Sequence, residues 1–167
     1  MNLSAWTNSA PPWFHLLVAT PAEASDWLRT IADDSKHKVA TRLIRGHRAA
    51  TKPHLLDELA AALQFPPYFG DNWDALHDCL ADLSWIPANA LIVCLSDADH
   101  LLAKAPADLK TLIGVFQSAA KEWNQPETPK PSRALHIVLQ VAPGHEAGVR
   151  SAWRAAGVEL QTVPPLA

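Results

Sequence analysis

Three carboxylates at regular spacing carry the strongest chemical signal in the chain. Asp74, Asp78 and Asp82 recur every four residues inside FPPYFGDNWDALHDCLADL, residues 65–83, so a helix aligns them on one face. Carboxylates so arranged can share a proton, hold a divalent cation or offer negative charge to a cationic partner. Like charges four residues apart destabilise a helix by roughly 0.2–0.5 kcal/mol per pair, so the ladder contributes nothing to the helix itself. A solvated face is the plain reading of such a run. Its surroundings argue for more: between Phe65 and Asp108 stand seven aspartates, one lysine and no arginine. Ordinary surfaces mix both signs, whereas a one-sign patch flanked by aromatics steers and holds an oppositely charged partner.

The other reactive groups do not complete a catalytic constellation. Six glycines are scattered, and none falls in the GxGxxG or GxxxxGK[ST] spacing that cradles phosphates. Eight histidines show no HxH or HxxxH pairing. Asp74 and Asp78 alone supply fewer oxygens than a hard divalent cation takes. Asp97-Ala98-Asp99-His100 follows an apolar run, a place where α/β proteins often put active sites, but a turn with helix capping accounts for it. A metal-dependent hydrolase using Asp74, Asp78 and Asp97 or Asp99 is a lesser alternative, and it requires those carboxylates to converge. Cys79 and Cys94 have no metal-ligand spacing and no companion cysteines; both fall in apolar patterns as inert core thiols. Neither an enzyme nor a cofactor is expected.

The elements that position the acidic face follow from pattern. Phe65-Pro66-Pro67-Tyr68-Phe69-Gly70 reads as a loop, since two prolines remove donors and Gly70 suits a conformation open to few other residues. The acidic helix begins near Asp71 or Asn72, either of which can cap it, and turns Trp73, Leu76, Leu80 and Leu83 inward. Upstream, 13–20 (WFHLLVAT) is a strand, Pro21 opens a helix ending near Asp33, 38–45 (KVATRLIR) is a second strand ended by Gly46, and Thr51-Lys52-Pro53 opens a helix burying Leu55, Leu56, Leu59 and Leu63. Downstream, 90–95 (ALIVCL) is a strand covered on both faces. A short helix after Ser96 gives way at Pro106 to a longer one through about Trp123. Residues 124–132 form a proline-rich, mobile loop; 134–141 is a strand, 143–156 a helix and 158–163 a final strand. Strands separated by helices imply an α/β fold with a parallel sheet.

The run Pro67-Tyr68-Phe69-Gly70-Asp71-Asn72-Trp73-Asp74-Ala75-Leu76-His77-Asp78-Cys79-Leu80 resembles the barstar family of intracellular ribonuclease inhibitors. The likeness extends over about Lys38 to Val141. It implies a two-layer fold with a three-stranded parallel core sheet, which the flanking β-α and α-β units extend to four or five strands. It also implies that the protein blocks the basic, RNA-binding cleft of an extracellular-type or toxin ribonuclease by presenting carboxylates in place of phosphates. Tyr68, Asp74 and Asp78 match the family's contact residues, with Asp78 entering the phosphate site. Phe69, Gly70, Asn72, His77 and Asp82 join them as partner-binding candidates: Asn72 caps the helix, and Gly70 lets the backbone approach closely. Two positions depart from the family. His77 stands where a large aromatic is common, and Ser118 stands where a further acidic contact is found. These departures leave open an immunity or interaction protein whose basic partner is not a ribonuclease.

The whole chain sets the remaining bounds. With 167 residues, 49% of them hydrophobic, one domain can bury an adequate core. The expected organisation is a loose N-terminal arm at 1–12 and a single domain at 13–167, with the family-like core at about 38–141. A formal net charge of −3 argues against generic nucleic-acid binding, which needs clustered cations. The N-terminal apolar run is too short for a membrane span, and reduced thiols suit the cytoplasm. The expected state is a soluble monomer when free, binding neither nucleic acid nor membrane.

Overall fold

A computed structural model describes residues 3–125 and 133–164; residues 126–132 of the expected proline-rich loop lie outside the described residues. Five strands and five helices alternate: β1 (Phe14–Val18), α1 (Pro21–Ala32), β2 (Val39–Arg45), α2 (Lys52–Leu63), α3 (Trp73–Asp82), β3 (Ala90–Ser96), α4 (Leu109–Asn124), β4 (Ala134–Val141), α5 (Glu146–Ala155) and β5 (Gln161–Val163). Local chemistry sets the helix starts. Thr20 accepts from the Glu23 amide while the Glu23 carboxylate accepts from the Thr20 amide, a reciprocal cap on α1. Thr51 caps α2 in the same one-way manner that Asn72 caps α3.

All five strands are parallel, in the order β2-β3-β4-β1-β5. β3 and β4 are buried along their whole length, as their uninterrupted apolar composition demands. The order also explains where the helices lie. The connections from β2 to β3, β3 to β4 and β4 to β5 advance in one direction across the sheet, and the connection from β1 to β2 runs back. Right-handed crossovers therefore put α1 on one face and the other helices on the opposite face. The apolar clusters agree: Trp27, Leu28 and Ile31 of α1 pack with Leu17, Ile92 and Val138, while α2 to α5 pack with Ile44, Val93 and Ile137. The family-like core is thus three-stranded and the additions bring it to five, with α1 supplying a covering layer on the second face.

Side chains tie the carboxyl ends of the strands together. Gln140 is fully buried; its amide donates to the Ala19 carbonyl at 2.7 Å and its oxygen accepts from the Asp97 amide at 2.9 Å. Gly46 ends β2 because a Cβ there would come within 2.2 Å of the Ser96 carbonyl oxygen, so no larger residue fits without moving backbone.

Three expectations are corrected. The arm at 1–12 is not loose over its described part: Leu3–Thr7 forms a 3₁₀ helix, and Trp6 is buried at 6% exposure against His15, Trp27 and His136 with ring centroids 4.9–5.4 Å away. No short helix follows Ser96. Residues 97–104 form successive turns, with Asp97 and Leu102 at left-handed φ of 46° and 53°, which interrupt any helical run. The last strand is only Gln161–Val163, since Val158 and Leu160 turn into the core instead. Among the described residues no helix is long and apolar enough to cross a membrane.

Candidate functional site

The acidic helix starts where its cap chemistry dictates. Asn72 accepts from the Ala75 amide at 2.8 Å through its side-chain oxygen and donates to the Gly70 carbonyl at 2.9 Å through its nitrogen, so one side chain fixes both the helix start and the loop before it. The expected role of Gly70 is corrected here. It is Asp71 that takes the left-handed conformation, at φ 49°. Gly70 has no positive φ, and a Cβ there would lie 3.1 Å from the Asn72 side-chain nitrogen, a tight contact to which the cap would have to give way slightly.

The helix divides its faces as its spacing requires. Leu76, Cys79 and Leu80 are buried, and Leu83 ends the helix at φ 40° with its amide on the Cys79 carbonyl. Burial, with Asp78 and Asp82 nearby, raises the Cys79 thiol above its ordinary range. Burial alone raises the Cys94 thiol to about 12. Both shifts disfavour the thiolate that a nucleophilic cysteine needs.

On the outer face, Asp74, Asp78 and Asp82 are exposed, and the Asp78 side chain is 83% accessible. Tyr68 in the preceding loop is 81% exposed. Phe69 points the other way, half-buried on Phe65 with centroids 5.0 Å apart, and anchors the loop from below. Asp82 is partly engaged: it lies near enough to the Arg133 guanidinium to favour that group's charged form, although burial lowers the Arg133 pKa overall. Arg133 itself donates to the Ala88 and Ile86 carbonyls and stacks 3.9 Å from the Trp123 ring, closing the end of α3 against α4 and β4. Among the described residues, lysine and arginine form ion pairs at Arg29–Asp26, Arg45–Glu58 and Arg154–Glu159. None reaches Asp74 or Asp78.

His77 lies between α3 and α4. Its Nε2 is 3.1 Å from the Ser118 hydroxyl and 2.9 Å from a Glu122 carboxylate oxygen, while its Nδ1 is 3.4 Å from Asp78. Glu122 is the residue that sequence reasoning missed. The acid absent at Ser118 stands one helical turn later, exposed on α4 and in contact with the α3 histidine. The signal was its i+4 spacing from Ser118, but nothing in the sequence says which face of α4 meets α3.

The Asp97 and Asp99 carboxylates are engaged elsewhere. Asp97 pairs with His47 at 2.8 Å and Asp99 with His145 at 2.9 Å, at the carboxyl ends of the strands. Among the described residues, no group of three or more histidine, cysteine, aspartate or glutamate side chains could hold a metal ion.

The family described as Barstar (barnase inhibitor) matches residues 39–139, a span that begins with β2 and ends within β4. No curated protein matches the chain in sequence. In fold, the chain resembles the ORC2 protein of Aeropyrum pernix in its ADPNP-ADP complexes, with a TM-score of 0.65 at 11% identity over 96% of this chain and 44% of that one. Cdc6p from Pyrobaculum aerophilum gives 0.58 at 21% identity over 96% and 41%. Both likenesses are of fold alone, and the chain spans less than half the length of either.

Proposed function

The chain belongs to the barstar family, and on that premise we propose that it inhibits a ribonuclease by laying α3 and the loop before it across a basic, RNA-binding cleft. The observation that carries this reading is the exposed, outward carboxylates of Asp74 and Asp78, which no lysine or arginine among the described residues reaches, beside the exposed Tyr68. Such a cleft places cations where substrate phosphates bind, and a carboxylate held on a rigid helix meets those cations with its geometry already fixed. Asp78, in the middle of the face, takes the phosphate position. Asp74 reinforces it one turn earlier, and Tyr68 stacks or hydrogen-bonds at the cleft mouth.

His77 and Glu122 widen the acidic face onto α4. The His77 ring is committed to Ser118 and Glu122 and so sets the spacing of the two helices. Glu122 supplies the flanking charge that Ser118 lacks. Complementary charge of this kind speeds encounter and selects against acidic partners.

The test is cleavage of a fluorogenic RNA by a small basic microbial ribonuclease in the presence of wild type, Asp78→Ala or Asp57→Ala. Inhibition by wild type and Asp57→Ala, lost in Asp78→Ala, supports the reading. Capture of a basic protein without RNA-cleaving activity by immobilised wild type, again lost in Asp78→Ala, would keep α3 as the binding face and replace the ribonuclease with another target.

A further inference from the structure

A second surface carries the opposite charge. From Lys36 to His54 the chain has six of its fourteen lysines and arginines (Lys36, Lys38, Arg42, Arg45, Arg48 and Lys52) and no aspartate or glutamate. At its centre lies β2, a seven-residue strand at the end of the sheet order, with β3 on one side and, among the described residues, no strand on the other. Edge strands present unpaired backbone groups and invite a further strand.

The hydrogen bonds identify which backbone groups are open. The Lys38 carbonyl accepts from the Asn89 amide, and the Ile44 carbonyl accepts from the Ser96 hydroxyl, so the even-numbered residues of β2 face β3. Alternation along the strand then turns Val39, Thr41, Leu43 and Arg45 to the free edge. Two of these positions are already occupied from within the protein. Glu58 takes the Arg45 amide and guanidinium, which closes the carboxyl end, and the Arg42 guanidinium donates to the Thr41 carbonyl at 2.8 Å. Val39 is buried at 4% exposure, so the Thr41 amide and Leu43 remain, and Leu43 is 41% exposed, one of two large apolar side chains so exposed among the described residues.

We propose that the free edge of β2 is a docking site for an extended, acidic peptide segment of a partner protein, which adds as a sixth strand. Its backbone would bond to Thr41 and Leu43, an apolar side chain would cover Leu43, and its carboxylates would meet Lys38 and Arg42. A carboxylate that captures Arg42 also releases the Thr41 carbonyl for the new ladder, so acidic character and strand addition are coupled. The nearest acids do not oppose this, since Asp34 is held by His37 and Glu58 by Arg45. A second copy is disfavoured, because pairing β2 with β2 sets lysine and arginine against one another. Single-stranded nucleic acid is disfavoured too: residues 28–64 contain no phenylalanine, tyrosine or tryptophan on which bases could stack.

The experiment uses the full chain and three probes: an eight-residue peptide alternating valine and glutamate, its valine–threonine counterpart, and an oligouridylate. The expected result is binding of the acidic peptide at least tenfold tighter than the neutral one, with slowed hydrogen exchange of the Thr41 and Leu43 amides. Arg42→Glu should lose that preference. Thr41→Pro, which removes an outward amide and leaves the β3 ladder intact, should abolish binding. Equal affinity for both peptides, retained binding in Thr41→Pro, or tighter binding of the oligouridylate would each overturn the proposal. So would self-association in sedimentation that disappears in Arg42→Glu. If Thr41→Pro does not fold, amide exchange in the wild type and the Arg42→Glu comparison still decide.

Discussion

The outer face of α3 and the cluster of Trp6, His15 and His136 place polar groups in opposite ways. On α3 the carboxylates stand in water, so their charge adds little to stability and is available to a partner. Beneath the N-terminal turn, two imidazoles and an indole are buried against the sheet. The Asn8 carbonyl can only accept, so His136 Nε2 carries the proton and donates to it at 3.1 Å; His136 Nδ1 is then free to accept from His15 Nε2, also at 3.1 Å. Burial pulls both pKa values down to about 4, the neighbouring His136 adding to the effect on His15, and the pair stays neutral. One region keeps charge that the fold does not need, and the other spends polar groups to fasten an arm.

The comparison can be broken or sharpened in order of expected effect. Asp78→Ala should weaken binding to the ribonuclease by about 4 kcal/mol, in the range of desolvated hot spots, and change unfolding free energy by less than about 0.5 kcal/mol. Calorimetric titration beside urea unfolding checks both halves, and a comparable loss of stability would erase the distinction. Trp6→Ala should do the reverse, destabilising the fold by about 3 kcal/mol with inhibition unchanged in the folded fraction.

Acid should act on the second region. The folded pKa values of His15 and His136 lie below the ordinary 6.5, so the unfolded chain binds their protons at higher pH. Their contribution is therefore complete above about pH 6.5 and is lost as pH falls toward 4, by on the order of 3 kcal/mol for each imidazole. Unfolding measured across that window should show the slope, and His136→Phe should flatten it. Glu122→Gln is a smaller change, expected to weaken inhibition by about 1 kcal/mol at low salt and less at high salt. Asp57→Ala, on the wet side of α2, should move neither binding nor stability beyond about 0.5 kcal/mol.

Pattern revealed the sheet and the acidic helix because both depend on local signals. β3 announces itself by an unbroken apolar run, and α3 by Asn72 and the spacing of Leu76, Leu80 and Leu83. What stayed hidden depends on contacts between distant segments. Trp6 sits in a five-residue 3₁₀ turn, too short for periodicity, and its burial follows from β1 and β4 meeting beneath it. The turns at 97–104 depend on left-handed Asp97 and Leu102; aspartate takes that conformation more readily than most residues, but nothing in the type of Leu102 advertises it. Glu122 looked like any wet glutamate until α4 was laid beside α3, and Phe69 belonged to an aromatic loop whose inward side no spacing could name.

The strand order has a consequence for biosynthesis. β1 pairs with β4 and β5, never with β2 or β3, and the contact between His15 and His136 joins residues 121 positions apart. On the ribosome, the apolar Phe14–Val18 segment emerges before β2, β3 and β4 and waits for more than a hundred further residues before its neighbour exists. The three central strands can assemble in the order they are made. Loop closure over such a span is slow, so β1 is the strand of the sheet that stays unpaired longest and is most open to wrong contacts during folding.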